Sequence, residues 1–344
     1  RQMGDKASAR EAATRAGVPV VPGSGGRIED PGDVQIVARD LGFPIMIKAV
    51  AGGGGRGIRI AQNEDELNHF VPQAAAEAKA AFGDGGLYLE KFITRARHIE
   101  VQVLGDGTSV IHCYERECSL QRRRQKLWEE APATAIPEGT RHALCAAAVQ
   151  LAQSVNYRGA GTVEFLYDDG SAEFYFIEMN TRIQVEHPVT ELVTGIDLVQ
   201  EMLRIAAGEP LRFDQEEISV RGHAIEVRIN AEDPARDFMP SPGTIEKLTI
   251  PGGPGVRFDS AIFPNYEIPP FYDSLIGKLI VHDQSRAGAL ERLKRAIGEL
   301  EICGIKTTKP LFAALAEEED VRTGQIDTRW LERWLEHNPL KSAN

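Results

Sequence analysis

Cysteine and basic residues are in short supply in this sequence. The four cysteines form no Cys-x-x-Cys pair and no zinc-type spacing with histidine, which argues against a disulfide framework or a structural zinc. We therefore expect a reducing compartment, the cytoplasm, or the mitochondrial matrix or plastid if the source is a eukaryote. Lys and Arg number 39 against 51 Asp and Glu, so the net charge is −12. That balance argues against binding nucleic acid or lying on an anionic membrane.

Long hydrophobic runs are also absent. No stretch of about 18 apolar residues occurs, and the N-terminus lacks the pattern of a signal peptide, so we expect no membrane segment. The chain does have the composition of an ordinary globular protein, with 42% hydrophobic and 26% charged residues. Its 344 residues are enough for about two domains. Because it begins at Arg1 within helix-like sequence, we expect it to be part of a longer protein.

Hydrophobic periodicity predicts a mixed α+β protein. An Ala-rich and Arg-rich helix at Lys6–Ala16 ends at Gly17, and residues 20–92 form a small mixed unit. Beyond that unit, alternating residues at His98–Leu104 and Ser109–Glu117 indicate a hairpin. Further strands are predicted at Thr162–Tyr167 and Glu173–Asn180, and helices at Glu138–Val155, Asp197–Gly208, Ala287–Glu299 and Lys309–Glu318.

A glycine loop follows one of the predicted strands. Residues 52–57 are GGGGRG, which matches the GxGxxG pattern. In a dinucleotide-binding fold such a loop opens a helix, whereas strand-like residues follow here, and the HRD and DFG motifs of protein kinases are absent. We interpret the loop as a flap whose N–H groups approach nucleotide phosphates, with Lys48 as a phosphate partner. The alternative is a surface hairpin without a ligand.

Two acidic residues are predicted to face each other in the hairpin that turns at residues 168–170. The register places Glu164 opposite Glu178, with Asn180 on the same face. Two ionised carboxylates at that spacing repel unless a cation lies between them. Two carboxylates and an amide oxygen suit Mg²⁺. The alternative is a solvated hairpin face with incidental acids.

Eight segments, in this order, closely resemble the biotin carboxylases of the ATP-grasp superfamily. They are MGDK (residues 3–6), IKAVAGGGGRG (47–57), EKF (90–92), RHIEVQV (97–103), ECSLQRR (117–123), EMNTRIQVEHPVTE (178–191), RGHAIEVRINAEDP (221–234) and YDSLIGKL (272–279). The resemblance covers nearly the whole chain. Another ATP-grasp ligase, such as a carbamoyl-phosphate synthetase half or a purine-pathway carboxylase, would share the flap and the metal acids but not TRIQVEHPVTE together with Arg257.

The resemblance implies an ATP-grasp fold followed by the biotin carboxylase C-terminal domain. The implied parts are a linker helix (1–19), a small lid subdomain with the flap (20–92), a larger antiparallel-sheet subdomain (93–219) and the C-terminal domain (220–344). The implied reaction uses ATP to activate bicarbonate as carboxyphosphate, which releases CO2 to carboxylate the ureido nitrogen of biotin. Mg²⁺ is the implied metal, often as two ions, and Mn²⁺ can replace it.

The resemblance also implies a role for each matching residue. Lys126, Arg182, Gln184, the Val185 backbone and Glu186 would bind bicarbonate, with Glu186 as its base and Arg257 stabilising the biotin enolate. Glu164, Glu178 and Asn180 would hold the metal. The residues implied for ATP are Lys6, Lys48, Gly52, Gly53, Gly54, Gly55, Gly57, Glu90, Lys91, Ile93, His98, Gln121, Arg124, Leu166 and Ile302. A guanidinium can bind a planar oxyanion through two parallel hydrogen bonds, and a carboxylate beside an arginine stays ionised and can accept a proton. The alternative for Arg182 and Glu186 is a structural ion pair.

Two polar features have competing interpretations. The basic run at residues 122–126 is a single cluster in an acidic chain, so we expect it to concentrate cations for ATP, bicarbonate and phosphate rather than to bind nucleic acid. His187 has no spaced partner and is interpreted as a structural residue rather than a metal ligand.

The sequence departs from the family pattern in two places. Arg124 replaces the usual histidine, from which we expect altered ATP affinity rather than lost chemistry. The family's N-terminal domain is not in this sequence, which places full turnover and the homodimer of the intact parent in question. Biotin would arrive on a carrier protein or domain, and a carboxyltransferase would use it, with acetyl-CoA carboxylase favoured by PSPG at residues 240–243. The non-enzyme alternative is a degenerate nucleotide-binding or assembly module.

Overall fold

The computed structural model describes Met3 and residues 6–28, 31–49 and 58–340, without the side chains of residues 6, 7, 31, 32 and 82. The chain divides into two compact units, Pro19–Ala96 and a larger one that joins Arg1–Val18 to Arg97–Asn344. The flap glycines (Gly52, Gly53, Gly54, Gly55 and Gly57) and the side chain of Lys6 lie outside the described parts of the chain.

The helices and strands alternate irregularly along the chain. The helices are α1 (Lys6–Arg15), α2 (Pro31–Leu41), α3 (Glu64–Phe82), α4 (Glu138–Ser154), α5 (His187–Thr194), α6 (Leu198–Ala206), α7 (Arg286–Glu299), α8 (Lys309–Leu315), α9 (Glu319–Thr323) and α10 (Trp330–His337). The first strands are β1 (Ile45–Ala49), β2 (Arg59–Ala61), β3 (Leu87–Lys91), β4 (Ala96–Asp106), β5 (Val110–Arg122), β6 (Gln125–Ala131), β7 (Arg158–Asp168), β8 (Glu173–Asn180) and β9 (His223–Asn230). The remaining strands are β10 (Glu232–Asp233), β11 (Met239–Pro240), β12 (Gly243–Thr244), β13 (Lys247–Thr249), β14 (Val256–Ser260), β15 (Glu267–Ile268), β16 (Leu275–Asp283) and β17 (Glu301–Cys303). No helix in these ranges combines the length and the hydropathy needed to cross a bilayer.

The unit Pro19–Ala96 contains a three-stranded antiparallel sheet in the order β2–β1–β3. Alternate residues of β1 are fully buried, among them Ile45 and Ile47, and they pack with Leu67 of α3. Helix α3 begins after Asn63, whose side chain accepts a hydrogen bond from Glu66 N–H, and ends at Gly83 with a φ of 77°. Such a cap pair defines both ends of the helix.

The larger unit is built on an eight-stranded sheet in the order β14–β16–β9–β6–β5–β4–β7–β8. Strand β9 shows why the sheet has one apolar and one polar face. Ile225, Val227 and Ile229 are buried in the main hydrophobic core with α7. Strand alternation directs Glu226 and Arg228 to the opposite face. On this opposite face, the apolar residues of α5 cover one end of the sheet. The polar side chains of the face lie together on the part of the sheet that α5 does not cover.

The structure confirms the α+β architecture with a large antiparallel sheet, but the sequence prediction omitted three elements. Strand β6 was not predicted because its charged and apolar residues directly follow a basic run. Helices α5 and α10 were not predicted because each is only eight residues long and gives a short periodic pattern. The helix predicted at Lys309–Glu318 is α8, which ends at Leu315, and α9 begins separately at Glu319 after Glu318, which adopts an extended conformation.

Candidate active site

Lys126 lies at the centre of a buried acidic cluster on the polar face of the large sheet. Its Nζ donates hydrogen bonds to Glu100 Oε2 at 2.5 Å, Glu186 Oε1 at 2.8 Å and Glu164 Oε1 at 2.9 Å. Burial opposes its charge, but the surrounding carboxylates, Glu100 foremost, raise the pKa of Lys126. The ammonium therefore compensates three carboxylates that come from separate parts of the chain.

A β-bulge directs Lys126 into this cluster. Leu120 pairs with Trp128 and the next residue, Gln121, pairs with Lys126, so Leu127 is an extra residue on β6. Leu127 and Trp128 are both buried in the main core. Because one extra residue reverses the alternation of side chains, Lys126 lies on the same face as Glu129 instead of the core face. The sequence contains no pattern that would reveal this bulge.

Glu186 is almost fully buried between two cations. Lys126 contacts one carboxylate oxygen, and Arg228 Nη2 donates to the other, Oε2, at 2.9 Å. Arg228 also donates through Nε to Glu129 at 2.6 Å. The sequence prediction did not include Arg228, although three polar residues alternate with buried isoleucine and valine along β9. Such an alternation indicates a functional polar face when it occurs inside a strand this apolar.

Arg182 forms no ion pair with Glu186, so the structure contradicts the alternative of a structural ion pair between them. Arg228 is the arginine that contacts that carboxylate. Arg182 is exposed, and it donates to Ile183 O at 3.0 Å and towards Asn180 Oδ1 at 3.5 Å. Its guanidinium therefore lies at the solvent side of the loop before α5. From there it can meet an anion that enters from solvent.

The other residues predicted for bicarbonate lie beside Lys126 and Glu186. Gln184 is buried and donates through Nε2 to Glu164 Oε1 at 3.1 Å, while its Oε1 is buried without a hydrogen-bond partner. Val185 lies between Gln184 and Glu186, and its carbonyl accepts a hydrogen bond from Lys278 at 2.7 Å. Lys126, Gln184, Val185 and Glu186 are thus brought together at one place.

Arg257 makes its ion pairs with residues other than Glu186. It is on β14, at the edge of the sheet and two strands away from β9. Its guanidinium binds Asp259 through Nε at 2.8 Å and Nη2 at 2.7 Å, and Glu191 through Nη1 at 2.7 Å. Arg257 makes no hydrogen bond or ion pair with Glu186, and Asp259 links it through Lys278 to the Val185 carbonyl.

Glu164 and Glu178 are cross-strand partners, as the sequence predicted. The register is as expected for the pairs that involve residues 162–164, but a bulge then shifts it so that Phe165 pairs with Phe176. Phe176 instead of Ile177 therefore packs against Phe165, with their ring centroids 6.3 Å apart. The bulge places two successive residues opposite one, so every pair from Phe165 to Asp168 is shifted by one residue from the expected register.

The acidic face already contains cations near Glu164. Lys126 and His98 accompany this carboxylate, and Asn180 donates to its Oε1 at 2.9 Å. Although burial opposes ionisation, His98 and then Lys126 lower the pKa of Glu164 to about 2. An ionised Glu164, the facing carboxylate of Glu178 and the amide oxygen of Asn180 form a donor set of hard oxygens that fits Mg²⁺.

His98 and Glu100 connect the acidic cluster to β4. The His98 Nε2 atom lies 3.3 Å from Glu164 Oε2 and 3.5 Å from Glu100 Oε2, without the geometry of a hydrogen bond. Burial disfavours the imidazolium, but these two carboxylates raise the pKa of His98 to about 9. The sequence prediction included His98 but not Glu100, which is fully buried and also binds Arg116.

The remaining residues predicted for ATP are distributed over both units. In the unit Pro19–Ala96, Lys48 forms an ion pair with Glu90. Lys91 is the next residue along the chain, and Ile93 comes two positions after it. In the larger unit, Gln121 is buried at the end of β5 and donates to Cys118 O at 3.3 Å. Leu166 on β7 pairs with Tyr175, and Ile302 on β17 pairs with Leu248.

The basic run does not act as one cluster. Arg122 and Arg123 form ion pairs with Asp237, while Lys126 enters the acidic cluster. Arg124 is exposed in the turn between β5 and β6, where Arg123 has a φ of 48° and Arg124 a φ of 67°. This left-handed conformation favours glycine or asparagine. The expectation that the whole run gathers around anions is therefore corrected, since only Lys126 contacts the acidic cluster.

A second buried ion-pair network lies on the other face of the sheet and predicts acid-dependent stability. Glu130 accepts from Arg286 at 2.7 and 2.8 Å, and from His223 at 2.8 Å. Burial opposes its ionisation, but Arg286 and then His223 hold the pKa of Glu130 well below its usual range. A carboxyl with a depressed folded pKa stabilises the fold above its unfolded pKa. That stabilisation is lost as the pH falls below about 4.3 towards the folded value.

We expect the Glu130→Gln variant to be less stable at pH 7 and to lose less further stability between pH 7 and pH 3.5 than the wild type does. Thermal unfolding followed by tryptophan fluorescence measures both effects. The exposed Glu336→Gln on α10 is the control, and its pH dependence should match the wild type. Parallel pH profiles for Glu130→Gln and the wild type would contradict the assignment.

Comparisons with known proteins show which families the two parts of the chain match. Residues 5–214 match the model of the carbamoyl-phosphate synthase L chain, ATP binding domain, and residues 226–333 match that of the biotin carboxylase C-terminal domain. A biotin carboxylase of Nostoc sp. is 54% identical over 333 residues, covering 96% of this chain and 74% of the relative. A pyruvate carboxylase component of Methanothermobacter thermautotrophicus is 50% identical over 333 residues, covering 96% of this chain and 67% of the relative.

A solved structure is similar over almost the whole chain. It is the biotin carboxylase domain dimer of the Hydrogenobacter thermophilus 2-oxoglutarate carboxylase, in complex with MgADP, ADP and bicarbonate. Its TM-score is 0.87 at 49% identity, covering 99% of this chain and 75% of that one. The fold and the acidic face thus define an ATP-grasp enzyme with the C-terminal domain that accompanies it in carboxylases. The chain belongs to the biotin carboxylase family of ATP-dependent ligases.

Proposed function

We propose that this chain uses ATP to activate bicarbonate as carboxyphosphate and transfers the released CO2 to the ureido nitrogen of biotin. The observation that carries the proposal is the buried Glu186 carboxylate, which has one oxygen on Lys126 and the other on Arg228. Bicarbonate must lose a proton before it attacks the γ-phosphate of ATP. A carboxylate within reach of bound bicarbonate is the group that can accept that proton as a general base.

Each substrate has a group of residues with the right chemistry. For bicarbonate these are Lys126, Arg182, Gln184, the Val185 backbone and Glu186, which supply cationic and neutral donors around one base. For ATP we propose the residues named from the resemblance in both units. Glu164, Glu178 and Asn180 would hold Mg²⁺, which when bound would neutralise the phosphates of ATP. The Hydrogenobacter relative is in complex with MgADP and bicarbonate, which supports these ligands.

Two arginines are candidates for stabilising the biotin enolate. The resemblance implied Arg257, but its guanidinium binds Asp259 and Glu191. Arg228 is in contact with the base itself, and a developing negative charge on the ureido oxygen must form within reach of that base. We therefore propose Arg228 for this role. A guanidinium held by Glu129 on one side keeps a fixed direction towards the acceptor.

The chain would act as one component of a larger carboxylase. A carrier protein or domain would present biotin, and a carboxyltransferase would use the carboxylated product. We propose acetyl-CoA carboxylase as the parent activity, a preference that rests on PSPG at residues 240–243. Relatives named as pyruvate and 2-oxoglutarate carboxylase components define the competing parents. The carboxyltransferase that accepts the carboxylated carrier decides among them.

The proposal is tested by ADP release with Mg²⁺, bicarbonate and ATP, with and without free biotin. We expect release that requires bicarbonate and rises with biotin. Arg182→Ala should raise the KM for bicarbonate by roughly 10- to 100-fold, because it removes a charged donor to an anion. Arg204→Ala, which removes a partly exposed arginine paired with Glu209, is the control and should behave like the wild type.

The same assay distinguishes the two candidate arginines. Arg228→Lys keeps a charge beside Glu186 but loses the planar guanidinium with its two parallel donors. It should therefore lower the kcat of biotin-dependent ADP release more than Arg257→Lys does. The opposite order would favour Arg257. ATP binding without any bicarbonate-dependent release, even after an N-terminal domain from a relative is supplied, would instead favour a degenerate nucleotide-binding module.

A further inference from the structure

The segment Gln184–Glu186 is held by hydrogen bonds to two successive backbone carbonyls. His187 Nδ1 lies 2.7 Å from Gln184 O, and Lys278 Nζ donates to Val185 O at 2.7 Å. A carbonyl oxygen can only accept a hydrogen bond, so the Nδ1 atom of His187 carries a proton. Lys278 lies on β16 directly opposite Arg228. Both donors therefore come from elements that also surround Glu186.

The hydrogen bond from His187 acts on the peptide unit that contains the Val185 N–H. The carbonyl of Gln184 and the N–H of Val185 belong to one planar trans peptide, so they point in opposite directions. When the Gln184 carbonyl is held pointing towards His187, the Val185 N–H is held pointing away from His187. A donor on the carbonyl also polarises the amide and strengthens its N–H as a donor. Within the described residues, the Val185 N–H donates to no protein acceptor.

The surroundings of this N–H suit a small planar oxyanion. Gln184 and Glu186 flank Val185, and both of their side chains are buried in the Lys126 cluster. The exposed guanidinium of Arg182 lies on the same loop. A backbone donor without a protein partner, next to a buried base and cationic groups, is typical of an oxyanion site.

We propose that His187 is a positioning residue for bicarbonate, which holds the Gln184–Val185 peptide so that the Val185 N–H donates to the anion beside Glu186. Lys278 holds the following peptide in the same way. This inference rests on the proposed function and adds to it a residue that does not touch the substrate. It also explains why a histidine lies at this position without any metal-ligating partner.

The imidazole ring of His187 has the protonation state that this role requires. Burial, together with the charges of Lys278 and Arg116, lowers the pKa of His187, so at neutral pH the ring carries one proton. The contact with Gln184 places that proton on Nδ1. The other nitrogen, Nε2, lies 3.9 Å from Glu191 Oε1, which is beyond hydrogen-bonding distance.

Two substitutions separate positioning from simple packing. In His187→Asn, the side-chain amide nitrogen takes the place of Nδ1 and keeps a donor at the same reach. His187→Ala removes this side-chain donor and leaves Gln184 O with the longer hydrogen bond, 3.3 Å, from the backbone N–H of residue 187. We expect His187→Ala to raise the KM for bicarbonate about five- to tenfold, the effect of one lost hydrogen bond. The KM for ATP and the rate at saturating bicarbonate should change less than about twofold on the same scale. His187→Asn should restore most of the bicarbonate affinity.

A second measurement does not depend on turnover. In the full chain labelled with ¹⁵N-valine, the Val185 amide peak is identified by its disappearance in Val185→Ile. Sodium bicarbonate should shift this peak in a saturable way that sodium chloride at equal ionic strength does not reproduce. In His187→Ala the same shift should need about five- to tenfold more bicarbonate.

The outcomes distinguish this inference from the proposed function. An unchanged bicarbonate response in a folded His187→Ala variant, or a Val185 peak that ignores bicarbonate, would overturn it. Failure of His187→Asn to improve on His187→Ala would overturn it as well. If the wild type hydrolyses no ATP but its Val185 peak responds to bicarbonate and loses that response in His187→Ala, the inference holds and the proposed carboxylation fails.

Discussion

Glu186→Gln is expected to lower the rate of bicarbonate-dependent ATP cleavage by about 10²- to 10⁴-fold, the usual contribution of a general base. Glutamine keeps the shape of the side chain but cannot accept the proton that bicarbonate loses. It also removes the negative charge that Lys126 and Arg228 share. The rate of ADP release at saturating bicarbonate measures the loss, and binding of ATP should persist.

A matched control comes from a buried glutamate outside the candidate site. Glu201 on α6 is almost fully buried and forms an ion pair with Arg212. Glu201→Gln removes a comparable buried charge, so any general cost to folding is reproduced there while the activity should remain. If Glu186→Gln kept activity within a few-fold of Glu201→Gln, another group would have to accept the proton.

The largest effect on stability is expected at Arg116. This fully buried guanidinium donates to Glu100 at 2.7 Å, Gln102 at 2.8 Å, Thr190 at 2.9 Å and Thr162 at 3.1 Å. Removing one partner from such a network leaves buried polar groups without compensation. We expect Arg116→Met to lower the free energy of unfolding by about 3–5 kcal/mol. Because Thr190 belongs to α5, that helix should lose its attachment to β5 first.

Urea unfolding followed by tryptophan fluorescence tests this prediction. Trp128, Trp330 and Trp334, the three tryptophans of the sequence, all lie in the larger unit, so the fluorescence reports the unit that contains Arg116. The control is Arg123→Met, which removes a largely exposed ion pair with Asp237 and should cost less than about 1 kcal/mol. Equal shifts of the unfolding midpoint in the two variants would show that the buried network contributes little.

Much of the site could be predicted from local sequence. The facing pair Glu164 and Glu178 follows from one hairpin, because a strand pair joined by a short turn has few possible registers. Gln184, Val185 and Glu186 adjoin each other along the chain, so the motif that contains them brings them together without any long-range pairing. His98 could be predicted for the same reason, since a characteristic segment specifies its strand and its face.

The partners of these residues were not predictable in the same way. Arg228 is 42 positions from Glu186 and lies on a different strand, and the adjacent arginine in the motif, Arg182, was the more obvious neighbour. Lys126 reaches the cluster only through a bulge that one buried leucine creates. Arg257 matched a family expectation, yet its strand is at the sheet edge, where two protein carboxylates bind it.

The sequence by itself determined the family, the α+β class, the facing carboxylates and the loop that contains the candidate base. Those features depend on residues that are close along the chain or on motifs with a specific order. Only the tertiary structure decided which cations neutralise the base, how Lys126 enters the acidic cluster and which histidine holds the loop carbonyl. These depend on strand order and on bulges. Both are set by the packing of distant buried residues against each other, which local patterns do not encode.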